Sequence, residues 1–222
     1  MTSYVKNRDI TAPKMLLGEG IEEFYFFEEL LRQLGRDDVH VDHFGGKVKI
    51  REGLAAFAQR PGFSQINSLA ITRDADFLKE DALGKTTANA AAFESVRSAL
   101  LKASLPVPDK EAEFCSGKFA GREIRVGVYI LPGAGADGML EDLCLSAIVA
   151  DPALPCIDEM FECATHQAKR ACAPKDAAKA RMHAWLATQV RPDLRLGEAA
   201  QEGYFDWTVP AFNSLRAFLE SL

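Results

Sequence analysis

The stretch LAITRDADF (residues 69–77) places two carboxylates, Asp74 and Asp76, directly after an apolar run. Apolar and β-branched residues over this length predict a buried strand. Because side chains alternate between the faces of a strand, residues two apart leave from the same face. The stretch therefore predicts a strand that delivers two acidic groups at its carboxyl end. An Asp-x-Asp after a strand is also common in turns, where aspartate accepts hydrogen bonds from backbone amides.

The shorter stretch LLGEG (residues 16–20) has the same arrangement earlier in the chain. An apolar run ends at Glu19 between two glycines, and helical spacing of apolar residues begins at Ile21. If the two strands are neighbours in a parallel sheet, Glu19, Asp74 and Asp76 converge at its carboxyl edge, where such sheets bind ligands. Carboxylates at close range repel one another, and Mg²⁺ or Mn²⁺ offsets this repulsion because hard cations take oxygen ligands.

Strand patterns alternate with helical patterns over the first two thirds of the chain, which predicts an α/β fold with a mostly parallel sheet flanked by helices. After Leu140 the apolar spacing is helical throughout. We therefore expect an α/β core over residues 12–150 and a helical C-terminal part over residues 151–222 packed on it.

Composition limits the classes of function. The chain has 222 residues, 48% of them hydrophobic and 26% charged, which is typical of a globular protein. Its net charge of -6 provides no overall basic field, so a nucleic-acid role requires a local basic surface or bridging metal ions. The five cysteines include no CxxC pair, the first residues resemble no secretory signal, and no apolar run reaches about 18 residues. We expect a cytoplasmic protein.

A glycine motif, Gly133-x-Gly135-x-x-Gly138, has the spacing of a dinucleotide-binding loop and precedes a helical pattern. That fold needs a further strand with an acidic residue about 20 residues later, and no convincing strand pattern follows. A dinucleotide-binding oxidoreductase is therefore a lesser alternative. Glu141 and Asp142 fall in the first turn of the predicted helix, where the helix dipole favours acidic groups.

Two further groups of residues are candidate phosphate ligands. Gly45, Gly46 and Lys47 follow a strand pattern and could hold a phosphate by backbone amides and an ammonium group, although a plain turn is the favoured explanation of the glycines. The C-terminal part is locally basic, and such a run either tracks nucleic-acid phosphates or forms a solvated helix face. Its members are Lys169, Arg170, Lys175, Lys179, Arg181, Arg191 and Arg195.

The order of these features is similar to that of the Toprim domain, a Rossmann-like fold shared by topoisomerases, DnaG-type primases and OLD-family nucleases. The resemblance rests on Glu19-Gly20 after the first strand and on Asp74-x-Asp76 after a later one, and it covers about residues 12–145. The stretches VGVYILP (residues 126–132) and FDWTVPAFNSLRAFL (residues 205–219) further resemble a family of small standalone Toprim-like proteins.

The resemblance implies a Mg²⁺- or Mn²⁺-dependent phosphoryl-transfer protein, a nuclease acting on DNA or RNA. It assigns acid–base chemistry or an additional metal ligand to Glu19 and metal binding to Asp74 and Asp76. With it we expect Glu141 and Asp142 to complete the metal site, Lys175 or Lys179 to neutralise charge in the transition state, and Lys169, Arg170 and Arg181 to bind substrate.

Many Toprim relatives carry an aspartate soon after the Glu-Gly pair, where this chain has Glu22 and Glu23. This departure and the acidic net charge support a second hypothesis. It is a non-catalytic interaction module that partners an ATPase in defence or repair.

Overall fold

The computed structural model of the protein describes residues 9–46, 50–77 and 86–222. Its strands are β1 (Lys14–Gly18), β2 (Val39–His43), β3 (Ser68–Asp74), β4 (Phe114–Phe119) and β5 (Arg122–Leu131). Its α-helices are α1 (Ile21–Gln33), α2 (Ile50–Phe57), α3 (Ala88–Lys102), α4 (Leu140–Ala147), α5 (Ala153–Gln167), α6 (Ala177–Ala187), α7 (Leu196–Gln201) and α8 (Asn213–Glu220). Short 3-10 turns lie at Phe63–Gln65, Pro174–Asp176 and Pro210–Phe212.

The strands form a single sheet in the order β2-β1-β3-β5-β4. The first four of these are parallel to one another, and β4 pairs with β5 in the antiparallel direction. In this register Leu16 lies beside Ala70, and Asp74 lies beside Leu131. The carboxyl ends of β1 and β3 are therefore adjacent at one edge of the sheet, as the sequence predicts.

Helices cover both faces of the sheet because the central strands are apolar on both sides. Met15 and Leu17 point into a core shared with α2 and α3, whereas Leu16 points into a core shared with α1 and the C-terminal helices. A strand buried on both faces shows a continuous apolar run instead of an alternating one. The run KMLLG in β1 follows that rule, and the predicted α/β class is confirmed.

The C-terminal helices pack directly on α1. Helix α7, which is too short to show a helical period in the sequence, approaches α1 so closely that a Cβ at Gly197 would lie 2.6 Å from the Glu22 carbonyl oxygen. The Gly197 amide donates a hydrogen bond to Glu22 Oε2 at 3.0 Å. Farther along α1, Phe26 packs against Trp207 and Phe212. Glycine at position 197 is thus required by backbone contact between the two helices.

Two general properties complete the description. All five cysteines are free thiols. In the ranges that the structure describes, none of the helices has both the length and the apolar content that crossing a membrane demands.

Candidate functional site

A pocket of about 200 Å³ lies at the carboxyl edge of the sheet, beside the ends of β1 and β3. We call it the acidic pocket because five of its lining residues are acidic and, among those described, one is basic. The acidic residues are Glu19, Glu22, Glu23, Asp74 and Glu141, and the basic residue is Lys179. They belong to the β1–α1 junction, α1, the end of β3, α4 and α6. The fold therefore brings together two of the predicted metal ligands from the strand ends, Glu19 and Asp74.

Glu23 reaches the pocket because of the two glycines around Glu19. A Cβ at Gly18 would lie 2.9 Å from the Cβ of Glu23, so only glycine lets the first turn of α1 pass this close to β1. The amide of Gly20 donates a hydrogen bond to Glu23 Oε2 at 2.9 Å. Glu23 is buried as a result, and it was absent from the candidate ligands named from sequence. Its spacing of three from Gly20 is typical of a helix cap and gave no separate signal of a ligand.

Asp74 is the last residue of β3 and lies against the start of α4. Its Oδ1 accepts a hydrogen bond of 2.9 Å from the amide of Leu140, the first residue of that helix. Burial raises the pKa of the Asp74 carboxyl well above its usual range, and the negative charges of Glu23, Glu19 and Glu141 raise it further. The amide hydrogen bond acts in the opposite direction and does not offset these effects.

The pKa of the Glu23 carboxyl is raised for similar reasons. Burial raises the pKa of its carboxyl, the hydrogen bond from Gly20 opposes that rise, and the charges of Glu141 and Glu22 add to it. Two carboxyls of one pocket thus have pKa values raised first by burial and then by the acidic groups around them. Perturbation of this kind is common at functional sites.

Two cations lie close to these carboxylates. Lys179 Nζ is 3.5 Å from Glu141 Oε1, and the charges of Glu141, Asp74 and Glu23 together raise the pKa of the lysine against the effect of its partial burial. Arg73 Nε is 3.9 Å from Glu19 Oε2. Because Arg73 precedes Asp74 in β3, the two side chains leave opposite faces of the strand. Glu19 and Glu141 thus each have an ion-pair partner, at 3.9 and 3.5 Å. Asp74 has none among the described residues, although its charge acts on Lys179.

The second predicted aspartate, Asp76, lies beyond the end of β3. Strand β3 ends at Asp74, and Asp76 has a positive φ of 61°, so the alternation rule for strands does not extend to it. The amide of Asp76 donates to the Gly138 carbonyl at 2.7 Å, and the Gly138 amide donates back at 3.1 Å. Asp76 is not among the residues that line the acidic pocket.

Asp142 is used as a helix cap. Its Oδ2 accepts a hydrogen bond from the amide of Met139 at 2.9 Å, and burial raises the pKa of its carboxyl. A Cβ at Gly138 would lie 2.6 Å from that oxygen, and φ of this glycine is 134°. The capped turn accounts for the last glycine of the predicted dinucleotide motif. Only helices follow β5 through residues 132–222, so the further strand of a dinucleotide unit is missing.

In the glycine pair after β2, the amide of Gly46 makes a structural hydrogen bond. Gly45 and Gly46 have positive φ values of 76° and 117°, and the Gly46 amide donates to the Glu19 carbonyl at 2.8 Å. This bond ties the two strand-end loops together and leaves the Gly46 amide unavailable to a phosphate. Lys47, the third predicted phosphate ligand, lies outside the described residues.

The predicted basic residues divide into two groups. Arg181 makes two hydrogen bonds to Asp158, at 2.7 and 2.8 Å, and Arg191 pairs with Glu202. Four others are exposed and make no ion pair to any residue in the described ranges. They are Lys169, Arg170, Lys175 and Arg195. The first three lie in or beside the segment that leads from α5 into α6 and so toward Lys179.

The acidic side chains that line the pocket offer oxygen donors, which suit a hard divalent cation. Within residues 9–46, 50–77 and 86–222, however, no three side chains of histidine, cysteine, aspartate or glutamate are already arranged to hold a metal ion. Mg²⁺ is usually held by one or two protein carboxylates, with water and substrate phosphate oxygens in its remaining positions. The residues present fit that kind of open site and do not form a closed protein cage.

A comparison with protein families gives a match over nearly the whole chain. The model described as "Protein of unknown function (DUF3226)" matches residues 13–222. The chain belongs to this family. In this chain, the acidic pocket is the feature that needs a functional explanation. No match is found among curated proteins.

Two solved structures are similar to this DUF3226 chain at low sequence identity. Both are described as the C-terminal region of the Xanthomonas campestris pv. campestris OLD protein, one phased with mercury and one with platinum. The first is 13% identical, with 95% of this chain and 86% of the other covered and a TM-score of 0.34. The second is 14% identical, with 95% and 96% covered and a TM-score of 0.38. Similarities at this level do not extend to function.

Proposed function

We propose that the acidic pocket binds a divalent cation, Mg²⁺ or Mn²⁺, and that the protein is a metal-dependent nuclease. The observation that carries this proposal is the carboxyl of Asp74, whose pKa is raised by burial and by three neighbouring carboxylates at the edge where parallel sheets bind ligands. The Toprim resemblance, which rests on Glu19-Gly20 and Asp74-x-Asp76, supports the same conclusion.

The charge balance of the pocket favours a bound cation. Two unit negative charges about 4 Å apart repel by about 4 kcal/mol at an effective dielectric constant of 20. Lys179 is the single described cation among the lining residues, against five acidic ones. Burial and, after it, the neighbouring carboxylates raise the pKa of Asp74, and protonation relieves the repulsion in the free protein. A divalent cation relieves it without protonation.

The geometry supports a definite set of roles. Asp74 and Glu23, with Glu141 beside them, would hold the ion, which supplies Lewis acidity toward a phosphate and a lowered pKa for an attacking water. The Glu19 carboxylate, 3.9 Å from Arg73 Nε, would accept the proton of that water. Lys179 would neutralise charge that develops on the phosphate oxygens. Asp76 and Asp142 are less suited as ligands because neither lines the pocket.

The exposed cations that precede α6 support nucleic acid as the substrate. Lys169, Arg170 and Lys175 are exposed and lie on the chain segment that leads to Lys179. Cations on such a surface neutralise backbone phosphates and release counter-ions, a favourable contribution that needs no base recognition. In a chain of net charge -6, this local surface is where a polyanion would approach.

The test is a cleavage assay on single- and double-stranded DNA and RNA with Mg²⁺ or Mn²⁺. Asp74→Asn is the informative variant because the Asn side chain keeps an Oδ1 acceptor for the Leu140 amide. We expect it to lower the cleavage rate by on the order of 100-fold, since it removes about 3 kcal/mol of metal-dependent stabilisation.

Asp158→Asn is the matched control, because Asp158 pairs with Arg181 on the exposed face of α5 and does not line the pocket. We expect it to keep wild-type cleavage. The proposal fails if no nucleic acid is cleaved with either metal, or if Asp74→Asn cleaves as fast as Asp158→Asn.

A non-catalytic interaction module is the second candidate. The observation that favours it is the lack, in the described ranges, of three side chains already placed around a metal ion. An ATPase partner for such a module stays a prediction from sequence. The cleavage assay separates the two candidates, because a module has no activity for Asp74→Asn to remove.

A further inference from the structure

Lys179 differs from the other residues of the acidic pocket in where it comes from. The carboxylates lie in the β1–α1 junction, α1, β3 and α4, whereas Lys179 is the third residue of α6 in the helical C-terminal part. It follows directly on the segment that carries the exposed cations Lys169, Arg170 and Lys175. One helix end therefore connects the pocket with the surface proposed to meet nucleic acid.

Lys179 is far more exposed to solvent than Glu141, the carboxylate with which it pairs. Its side chain is 56% exposed, whereas that of Glu141, 3.5 Å away, is 11% exposed. The ammonium group thus lies at the mouth of the pocket, between buried carboxylates and solvent. A lysine has a flexible four-carbon stem, so the ammonium can move to a new partner while Glu141 stays in place.

We propose that Lys179 is the built-in counter-ion of the acidic pocket and that a nucleic-acid phosphate draws it away from Glu141, so that metal and nucleic acid bind cooperatively. This inference rests on the proposed function. In the absence of nucleic acid, the ammonium group repels a second cation that approaches the same carboxylate, and it weakens metal binding. A phosphate at the mouth of the pocket gives Lys179 another partner and removes that repulsion.

The coupling works in both directions. Any factor by which nucleic acid raises the affinity for metal is also the factor by which metal raises the affinity for nucleic acid. A repulsion between charges about 6 Å apart, partly screened at the mouth of the pocket, corresponds to about a tenfold change in affinity. With this coupling, the affinity of the pocket for metal would stay low until nucleic acid binds.

The experiment is a calorimetric titration of Mn²⁺ into the full chain, alone and with a short phosphorothioate oligodeoxynucleotide that resists cleavage. The titration of Mn²⁺ into the oligonucleotide alone is subtracted. An uncharged methylphosphonate oligonucleotide of the same sequence replaces it in a parallel series. The proteins are wild type, Lys179→Met and Lys118→Met, which removes one exposed positive charge from β4, outside the acidic pocket.

We expect the charged oligonucleotide, and not the uncharged one, to tighten Mn²⁺ binding to wild type by about tenfold. Lys179→Met should bind Mn²⁺ about tenfold more tightly without the oligonucleotide and gain nothing from its addition. Lys118→Met should behave as wild type. Lys179→Gln, which keeps a polar side chain without the charge, should match Lys179→Met if the charge is the cause.

Two outcomes separate a failure of the coupling from a failure of the metal site. If wild type binds Mn²⁺ in a way that Asp74→Asn abolishes, but Lys179→Met has the same affinity or the same response to the oligonucleotide, the coupling is overturned and the metal site stands. If neither wild type nor Lys179→Met binds Mn²⁺, both the proposed function and the coupling are overturned.

Discussion

Two aspartates at the carboxyl edge of the same sheet have opposite surroundings. Asp42, in β2, accepts hydrogen bonds from Arg60 Nη1 at 2.7 Å and from the His43 amide at 2.8 Å. Burial raises the pKa of Asp42, but His40, Arg60 and the His43 amide outweigh it and lower that pKa to about 2. Asp74, at the end of β3, has one amide donor and three neighbouring carboxylates, and its pKa is raised.

The difference separates a structural carboxylate from a candidate functional one. Folded proteins seldom leave a buried charge without a cation or hydrogen-bond donors, because an uncompensated charge costs several kcal/mol. Asp42 has an arginine partner, whereas Asp74 lies among other acids and forms no ion pair with a residue in the described ranges. Under the proposed function, a divalent cation from solution is the partner of Asp74.

We expect the largest change in stability when Asp42 loses its arginine partner. Arg60→Met leaves Asp42 partly buried without its cation and removes the contact of the guanidinium with the Phe57 ring, 4.2 Å away. We expect the free energy of unfolding at pH 7 to fall by about 2–3 kcal/mol, measured by urea denaturation. Arg97→Met, which breaks the more exposed pair with Glu94, should cost less than about 1 kcal/mol. Equal losses in the two variants would remove the distinction drawn for Asp42.

Removing the charge of Asp74 should stabilise the protein, whereas removing the charge of Asp42 should destabilise it. In the metal-free protein, Asp74→Asn keeps the acceptor for Leu140 and removes one of the mutually repelling charges. We expect the free energy of unfolding at pH 7 to rise by about 1 kcal/mol. Asp42→Asn, the same chemical change, should lower it by about 1–2 kcal/mol because it weakens the bonds from Arg60 and the His43 amide. A destabilised Asp74→Asn would show that repulsion is not the dominant effect there.

The two aspartates also predict opposite dependences of stability on pH. The folded pKa of Asp42 is about 2 and its unfolded pKa about 4, so its contribution to stability grows from pH 2 to pH 4 and is lost on acidification. Asp74 and Glu23 have raised folded pKa values, so above about pH 4 the unfolded state has released their protons while the folded state retains them.

Stability of the metal-free protein should therefore rise up to about pH 4 and then lose the contribution of Asp74 and Glu23 as the pH increases. Urea denaturation at a series of pH values measures both slopes. Asp74→Asn should flatten the second slope and leave the first unchanged. An unaltered second slope in this variant would place the titrating group elsewhere.

The smallest effect is expected at the second aspartate of the Asp-x-Asp motif. Asp76→Asn changes a residue that does not line the acidic pocket, and asparagine tolerates the positive φ of 61° as aspartate does. We expect a change in unfolding free energy within about 0.5 kcal/mol and an unaltered response to Mn²⁺. If Asp76→Asn abolished the response to Mn²⁺, Asp76 would be a ligand and the pocket would extend toward Gly138.

The strand ends were predictable because they depend on local patterns. Apolar runs identify β1 and β3, and a parallel sheet brings their carboxyl ends together, which places Glu19 near Asp74. The alternation rule fails at Asp76 because the ladder ends at Asp74 and the chain turns to pair with Gly138. Where a strand ends depends on its neighbours, which the sequence of the strand does not contain.

The pocket residues that lie on helices were less predictable. Glu23 reaches the pocket because Gly18 permits a close approach between α1 and β1, a contact between elements that spacing alone does not reveal. Lys179 was one of seven basic residues with the same sequence signal, and only the placement of α6 brings it beside Glu141. The glycine motif was misleading for a related reason, because Gly138 is explained by its contact with the Asp142 cap.

The most direct test of the account is the melting temperature of wild type and Asp74→Asn as a function of Mn²⁺ concentration. Asp42→Asn serves as the control that keeps the acidic pocket intact. We expect Mn²⁺ to raise the melting temperature of wild type and Asp42→Asn by roughly 5 °C at about a hundred times the dissociation constant, and to leave that of Asp74→Asn unchanged. No rise in wild type, or an equal rise in Asp74→Asn, would contradict it.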